Sequence, residues 1–305
     1  MKIGFGAPVS GAWATPENLG RFAERAQDLG YDSLWTFQRL LIPADGEADP
    51  PYRSVLDPLL ALTYAAARTS TIRLGVSIVN LPFVSPAHLA KQAATLDVLS
   101  GGRLDLGLGT GWSAEEFAAS GTGPARRGAR AQEFVAALRT LWDDEVSRFD
   151  GEFYTVPPSR MMPKPVQRPG PPILLGGAAP AALRRAGRLA DGWLSRSATD
   201  LAKIAGQVAT VRAAASGAGR DPSAVRVVCR GVVRTGPYTG ADGARRRLSG
   251  TFAQIREDAG WLGEQGVTEL FYDLNWDPLI GGPDADPAAA ADRAEEILEG
   301  LAPGR

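Results

Sequence analysis

The sequence predicts a closed (β/α)8 barrel. Short apolar strands alternate with amphipathic helices along the whole chain, eight strand candidates can be placed, and 305 residues suit one such barrel. Several of the strands are apolar throughout rather than alternating, as in a parallel sheet covered on both faces. An open doubly wound sheet is the alternative arrangement.

The first strand candidate is KIGFGAP (residues 2–8), followed by a helix over 16–30 with Leu19, Phe22, Ala23, Ala26 and Leu29 on one face. Thr15 caps this helix with Pro16 at its first position. The same device marks helix starts at Asp57-Pro58, Ser85-Pro86 and Asp286-Pro287. Further strands are expected at 33–36, 72–78, 104–109, 173–176, 192–195, 225–233 and 270–273. FDGEFYTV (149–156) reads as a hairpin around Asp150-Gly151, and the proline-rich stretch 156–172 as an insertion before the fifth strand. The rhythm resumes at once, so residues 1–305 are expected to form one domain.

Composition removes several classes of function. Lys plus Arg total 33 against 34 Asp plus Glu, which gives no electrostatic footprint for nucleic acid or an anionic membrane. No apolar run reaches membrane-spanning length and no targeting pattern opens the chain, so a cytoplasmic protein acting on a small molecule is expected. Cys229 is the only cysteine and sits in the apolar run VRVVCRGVV, where an inert buried thiol is expected. His88 is the only histidine, which leaves no imidazole set for zinc, and its place in SPAHLAKQ suggests the surface of a first helical turn.

The run LDLGLGTGWS (104–113) invites comparison with a dinucleotide-binding turn. Its glycines, Gly107, Gly109 and Gly111, are spaced GxGxG, and Trp112 stands where the third glycine of GxGxxG belongs. The run also follows the fourth strand rather than the first. Ser113 and Glu116 form S-x-x-E, a capping box opening a short helix, so these glycines are expected at the C-terminal mouth of a barrel strand.

The segments LGYDSLW (29–35), DPLLALTYAAARTSTIRLGVSIV (57–79), SPAHLAKQAATLDVLSGGRLDLGLGTGW (85–112), RRGAR (126–130) and ILLGGAAPAALRRAGRLADGW (173–193) resemble the bacterial luciferase-like monooxygenase family. The resemblance implies a (β/α)8 barrel with insertions, often dimeric, that binds flavin mononucleotide (FMN) or the deazaflavin coenzyme F420. It implies that Ser77 and Ile78 lie at a bulge of the third strand, often with a non-proline cis peptide, behind the cofactor ring. Thr110, Gly111 and Trp112 match the segment beside the ring, and Gly176, Gly177, Ala178 and Ala179 the turn that receives the cofactor phosphate. AAPAALRRAGRLA then reads as an uninterrupted helix whose positive end faces that turn. Arg126, Arg127 and Arg130 either form a solvated helix end or hold an acidic cofactor tail. Trp35, Trp112 and Trp193 fall near strand ends, in core packing or as pocket walls.

One departure from the family stands out. Gln38 and Arg39 occupy positions where many members carry Asp-His, the histidine serving as acid or base. Neither replacement titrates usefully. Arg39 either fixes an anionic substrate group or packs its stem on the barrel rim. The short single chain and the TGW wording favour F420-dependent hydride transfer, with an FMN-dependent monooxygenase or a non-catalytic flavin-binding relative as alternatives. The substrate is expected to meet the loops 40–53 and 234–243, which carry no readable motif.

Overall fold

Eight parallel strands close on themselves in the computed structural model, which describes residues 1–44, 49–240 and 243–304. They are β1 (Lys2–Gly6), β2 (Ser33–Thr36), β3 (Arg73–Asn80), β4 (Leu104–Gly109), β5 (Ile173–Gly176), β6 (Gly192–Leu194), β7 (Arg226–Val232) and β8 (Glu269–Asp273). Each pairs with its sequence neighbours, and β1 pairs with β8 through Lys2 to Glu269 and Phe5 to Tyr272. The closed barrel replaces the open-sheet alternative.

The connecting helices are α1 (Pro16–Asp28), α2 (Pro58–Arg68), α3 (Pro86–Leu99), α4 (Ala114–Ala119), α5 (Arg127–Asp143), α6 (Pro180–Leu189), α7 (Ile204–Ser216), α8 (Phe252–Glu264) and α9 (Pro287–Gly300). All four expected cap-then-proline starts are present, with Thr15, Asp57, Ser85 and Asp286 accepting backbone N–H bonds in the first turn. Helix α1 stops at Asp28, earlier than expected, because Leu29 caps it and Gly30 turns with φ +81°. The first strand ends at Gly6 rather than Pro8. The expected hairpin pairs Ser147–Asp150 with Thr155–Ser159. No helix among the described residues is long and apolar enough to cross a membrane.

Two apolar clusters follow from the parallel sheet. The larger lies between strands and helices; the smaller, Trp35, Leu174, Leu194, Val228 and Phe271 with Ile78 against it, fills the barrel interior. Below it the interior is ionic. Asp105 receives hydrogen bonds from Arg73 Nε (2.8 Å) and Arg226 Nη1 (2.7 Å), and Arg226 also reaches Glu269 (2.8 Å). Burial pushes the Asp105 carboxyl up, but the hydrogen bonds from Arg73 and Arg226 outweigh it and hold it below the usual carboxylate range. Trp35 belongs to this closed end, since its Nε1 donates to Glu269 Oε1 at 3.0 Å, so it is core rather than pocket wall.

Above the apolar layer the strands present glycine. A Cβ at Gly109 would overlap Ile78 Cδ1, and one at Gly6 would lie 3.0 Å from Asp273 Oδ1. Glycine thus lets Ile78 and Asp273 approach the β4 and β1 backbones closely at the C-terminal end, with Ile78 on top of the apolar layer.

Candidate functional site at the barrel mouth

The β3–β4 pairing shifts register between Val76 and Val79, and within that bulge the Ser77–Ile78 peptide is cis. A chain of hydrogen bonds ties the bulge to its neighbours. Gln38 Oε1 accepts from Asn80 N (2.8 Å), Asn80 Oδ1 accepts from Gly111 N (3.2 Å), and Arg127 Nη1 donates to Gly111 O (3.0 Å). Gly111 has φ +70°, and a Cβ there would lie 3.0 Å from both Phe83 and Phe117, so only glycine fits without displacement. Thr110 is half-buried beside it, and Trp112 is 64% exposed at the edge of the mouth.

Gly177, with φ +133°, makes the turn into α6, whose N-cap is Ala179. Trp193 is fully buried, and its Nε1 donates to Gly177 O at 2.7 Å, so this tryptophan holds the turn from behind. The N-cap offers no side-chain hydrogen bond; Pro180 has no N–H and Ala182 N already donates to Ala179 O at 2.8 Å, so Ala181 N is the amide of the first turn left for another acceptor. Arg185 of α6 lies near Gly128, where a Cβ would be 2.8 Å from its Nη1. Burial, then the charges of Arg188 and Arg127, push its pKa down. Arg127 and Arg185 thus crowd the start of α5, an arrangement that an anionic group would relieve.

The three arginines at the start of α5 part company. Arg126 pairs with Glu152 and stacks on Phe153, and Arg130 donates to Thr122 Oγ1, while Arg127 turns to Gly111. Arg127 alone of the three faces the segment beside the mouth.

Arg39 is at the mouth, but not as a rim arginine and not as a free cation. Its side chain is 6% exposed, its guanidinium lies over Tyr52 (4.9 Å to the ring centroid) and Trp112 (4.3 Å), and Glu116 meets it at 3.5 Å. This also corrects the capping box. Ser113 Oγ does accept from Glu116 N, but the Glu116 carboxylate leaves the helix start and accepts from Leu40 N (2.7 Å) and Leu41 N (3.3 Å) instead. The S-x-x-E spacing signalled only half of what Glu116 does.

Sequence reasoning also missed Arg230. Buried on β7, it donates from Nε to Asp273 Oδ2 (2.6 Å) and from Nη1 to Ser77 O (3.4 Å), and lies over Phe37 at 4.6 Å. Nη2 has no partner. Arg226, Val228 and Arg230 alternate along one strand face, and two charges in an otherwise apolar run were the readable signal. Cys229, on the opposite face, is fully buried with its thiol pushed up to about 12 by burial, as an inert residue would be. His88 is exposed on the first turn of α3. Of the two expected substrate loops, residues 45–48 and 241–242 lie outside the described residues; the remainder of the first contributes Tyr52.

Strands β2, β3, β4, β5 and β7 thus send Gln38, Ser77, Ile78, Gly111, Gly177 and Arg230 to one open end, with the start of α6 and Arg127 at its side. In a (β/α)8 barrel this C-terminal face is where small-molecule sites are built. The chain belongs to the luciferase-like monooxygenase family, whose model matches residues 3–266. It is 41% identical over 157 residues to an uncharacterised protein of Mycobacterium tuberculosis, covering 50% of this chain and 55% of that protein, so it spans about half the length of that relative. It is 32% identical over 204 residues to an F420-dependent glucose-6-phosphate dehydrogenase of Kineococcus radiotolerans, covering 65% of this chain and 57% of the other. A monooxygenase from Streptomyces bottropensis superposes with a TM-score of 0.78 at 26% identity, covering 99% of both chains. Family members are oxidoreductases or monooxygenases.

Proposed function

We propose that the protein is a cytoplasmic F420-dependent oxidoreductase that moves a hydride between the deazaflavin and a small organic substrate. The observation that carries this reading is the pairing of the Ile78 floor with the α6 N-terminus and its desolvated Arg185. One suits a flat ring and the other the phosphate such a ring carries. Ser77 and Ile78 would back the ring, Thr110, Gly111 and Trp112 would flank it, and Gly176, Gly177, Ala178 and Ala179 with Arg127 and Arg185 would hold the phosphate. Bound there, F420 supplies a two-electron hydride carrier. The chain's part is orientation. Gln38 and Asn80 fix the bulge, Trp193 fixes the phosphate turn, and Glu116 holds Arg39 and the β2 loop against the opening.

The F420-dependent relative supports the deazaflavin; the 26% identical monooxygenase supports oxygen chemistry as a second reading, for which the family resemblance implies FMN. Fluorescence titration of the purified protein with oxidised F420 and with FMN decides between them. Micromolar F420 binding with weak FMN binding is expected, the reverse moves the reading to a flavin monooxygenase, and binding of neither leaves a non-catalytic relative.

We also infer a homodimer. Leu60 (70% exposed) on α2 and Leu99 (61%) on the adjacent α3 present large apolar side chains to solvent. Light scattering should give twice the chain mass of 32.1 kDa; the single-chain mass would dismiss the dimer.

A further inference from the structure

With Gln38 and Arg39 in place, the mouth needs another source of protons. Tyr52 is seated there by its backbone. It ends a short turn, Pro50–Tyr52, that is held when Ser10 Oγ donates to Pro51 O and Gly11 N donates to Ser54 O at 3.0 Å. Its ring is caged by Phe37 (centroids 6.2 Å apart), Trp276 (5.3 Å) and Trp112 (6.1 Å), with the Arg39 guanidinium over its face. Phe37 and Arg39 follow β2, Trp112 follows β4 and Trp276 follows β8, so the ring stands over the open end of the barrel.

The hydroxyl is uncommitted. It makes no hydrogen bond among the described residues and, in a half-buried residue, stays accessible at the mouth. Four charged groups on the elements around it act on it. Arg230 of β7 and Arg39 after β2 favour the phenolate, while Asp49 of its own loop and Asp273 of β8 oppose it. Burial is the largest influence and leaves its pKa raised, so the phenol keeps its proton at neutral pH, beside two guanidinium groups that can receive the phenolate. Each of those cations is already met by a carboxylate, Arg39 by Glu116 and Arg230 by Asp273. The pairs are neutral overall, which removes the basis for expecting an anionic substrate and favours an uncharged polar oxygen.

We propose that Tyr52 is the catalytic acid of this site, giving its phenol proton to the oxygen of a neutral aldehyde or ketone as a hydride reaches the carbonyl carbon. The step rests on the deazaflavin reading, with reduced F420 as the hydride source. A C–H bond forms at the carbonyl carbon, the C=O π pair moves to oxygen, and an O–H bond forms there as the Tyr52 O–H bond breaks. The substrate is reduced to an alcohol, the cofactor is oxidised by two electrons, and the phenolate regains its proton from water. In the reverse direction the phenolate is the base.

The test compares the wild type with Tyr52→Phe, which deletes one oxygen and no hydrogen bond. F420 affinity is measured by fluorescence, the melting temperature by calorimetry, and turnover as consumption of reduced F420 with hexanal, benzaldehyde, acetone and cyclohexenone. The expected result is turnover of at least one carbonyl by wild type and a kcat lower by about 10²- to 10⁴-fold in Tyr52→Phe, at unchanged F420 affinity and melting temperature. The wild-type kcat should fall as pH rises through the phenol's pKa, and that limb should vanish in the variant. A variant kcat within threefold of wild type with the limb retained overturns the proposal. So does a variant that loses F420 binding or melts lower, which makes Tyr52 a packing residue, and so does a wild type that binds F420 but reduces none of the four carbonyls. A wild type that binds no F420 overturns the cofactor reading itself, and this step with it.

Discussion

Arg39 and Glu116 face each other across the barrel mouth at 3.5 Å, one side chain 6% and the other 1% exposed. Removing one member of a pair so enclosed leaves the other's charge without compensation. Glu116→Ala should therefore cost about 3 kcal/mol in denaturant unfolding, with a comparable loss for Arg39→Ala. Glu116→Gln keeps an acceptor for Leu40 N and Leu41 N and should cost roughly half as much. Unfolding midpoints equal to wild type in all three would show the pair to be idle.

Gly177 should not tolerate a side chain. Its φ of +133° is strained for any L residue, and a Cβ would stand 2.8 Å from that of Ala182. Gly177→Val is expected to cost about 1–3 kcal/mol of stability, leaving the chain folded, and to weaken F420 binding at least tenfold. Circular dichroism and the fluorescence titration check the two halves, and undiminished affinity would remove the phosphate from this turn.

Gly109→Ala tests the ring slot. The new methyl would overlap Ile78 Cδ1 and push the floor of the mouth out of place. A loss of about 1–3 kcal/mol is expected, together with weaker cofactor binding. Ile78→Ala in the same background makes room for the methyl and should recover part of the stability, a coupling read by a double-mutant cycle.

Acid should unfold the protein partly through Asp105. Its pKa is lower in the folded chain than in the unfolded one, so the stability it contributes is complete above the ordinary aspartate range and disappears as pH falls below about 4. Asp105→Asn should lower stability at neutral pH and flatten the acid side of the stability curve. An unchanged acid slope would mean that Arg73 and Arg226 do not act on it as the geometry implies.

The barrel was legible in the sequence because its signals are local: apolar runs of strand length, and caps such as Asp57-Pro58 whose effect is complete within one turn. The misplaced end at Asp28 comes from a local cap, in which Tyr31 N donates back to Ala26 O past Gly30, and the one at Gly6 from the point where regular pairing with β2 stops although Ala7 N still donates to Trp35 O. The mouth was read unevenly. The resemblance pointed to Ser77, Ile78 and Gly177 as a group, and the structure gathers them at one end. Arg230 went unread because VRVVCRGVV was taken for its apolarity rather than for the alternation of its charges. Glu116 was hidden by the S-x-x-E spacing, of which only the Ser113 half is realised while the Glu116 carboxylate turns to Leu40 N and Leu41 N. Tyr52 gave no signal, since its turn is held through Pro51 by Ser10, far off in sequence, and its ring by residues from three different strand ends.

The ionic layer of Arg73, Asp105, Arg226 and Glu269 has a kinetic consequence. With the packed apolar layer above it, this layer closes the barrel from below, so ligands can approach Ile78 only from the C-terminal side. A ligand resting on Ile78 would lie beneath any that follows it. If two substrates meet here, the deeper one is expected to enter first and leave last, and product-inhibition patterns would show it.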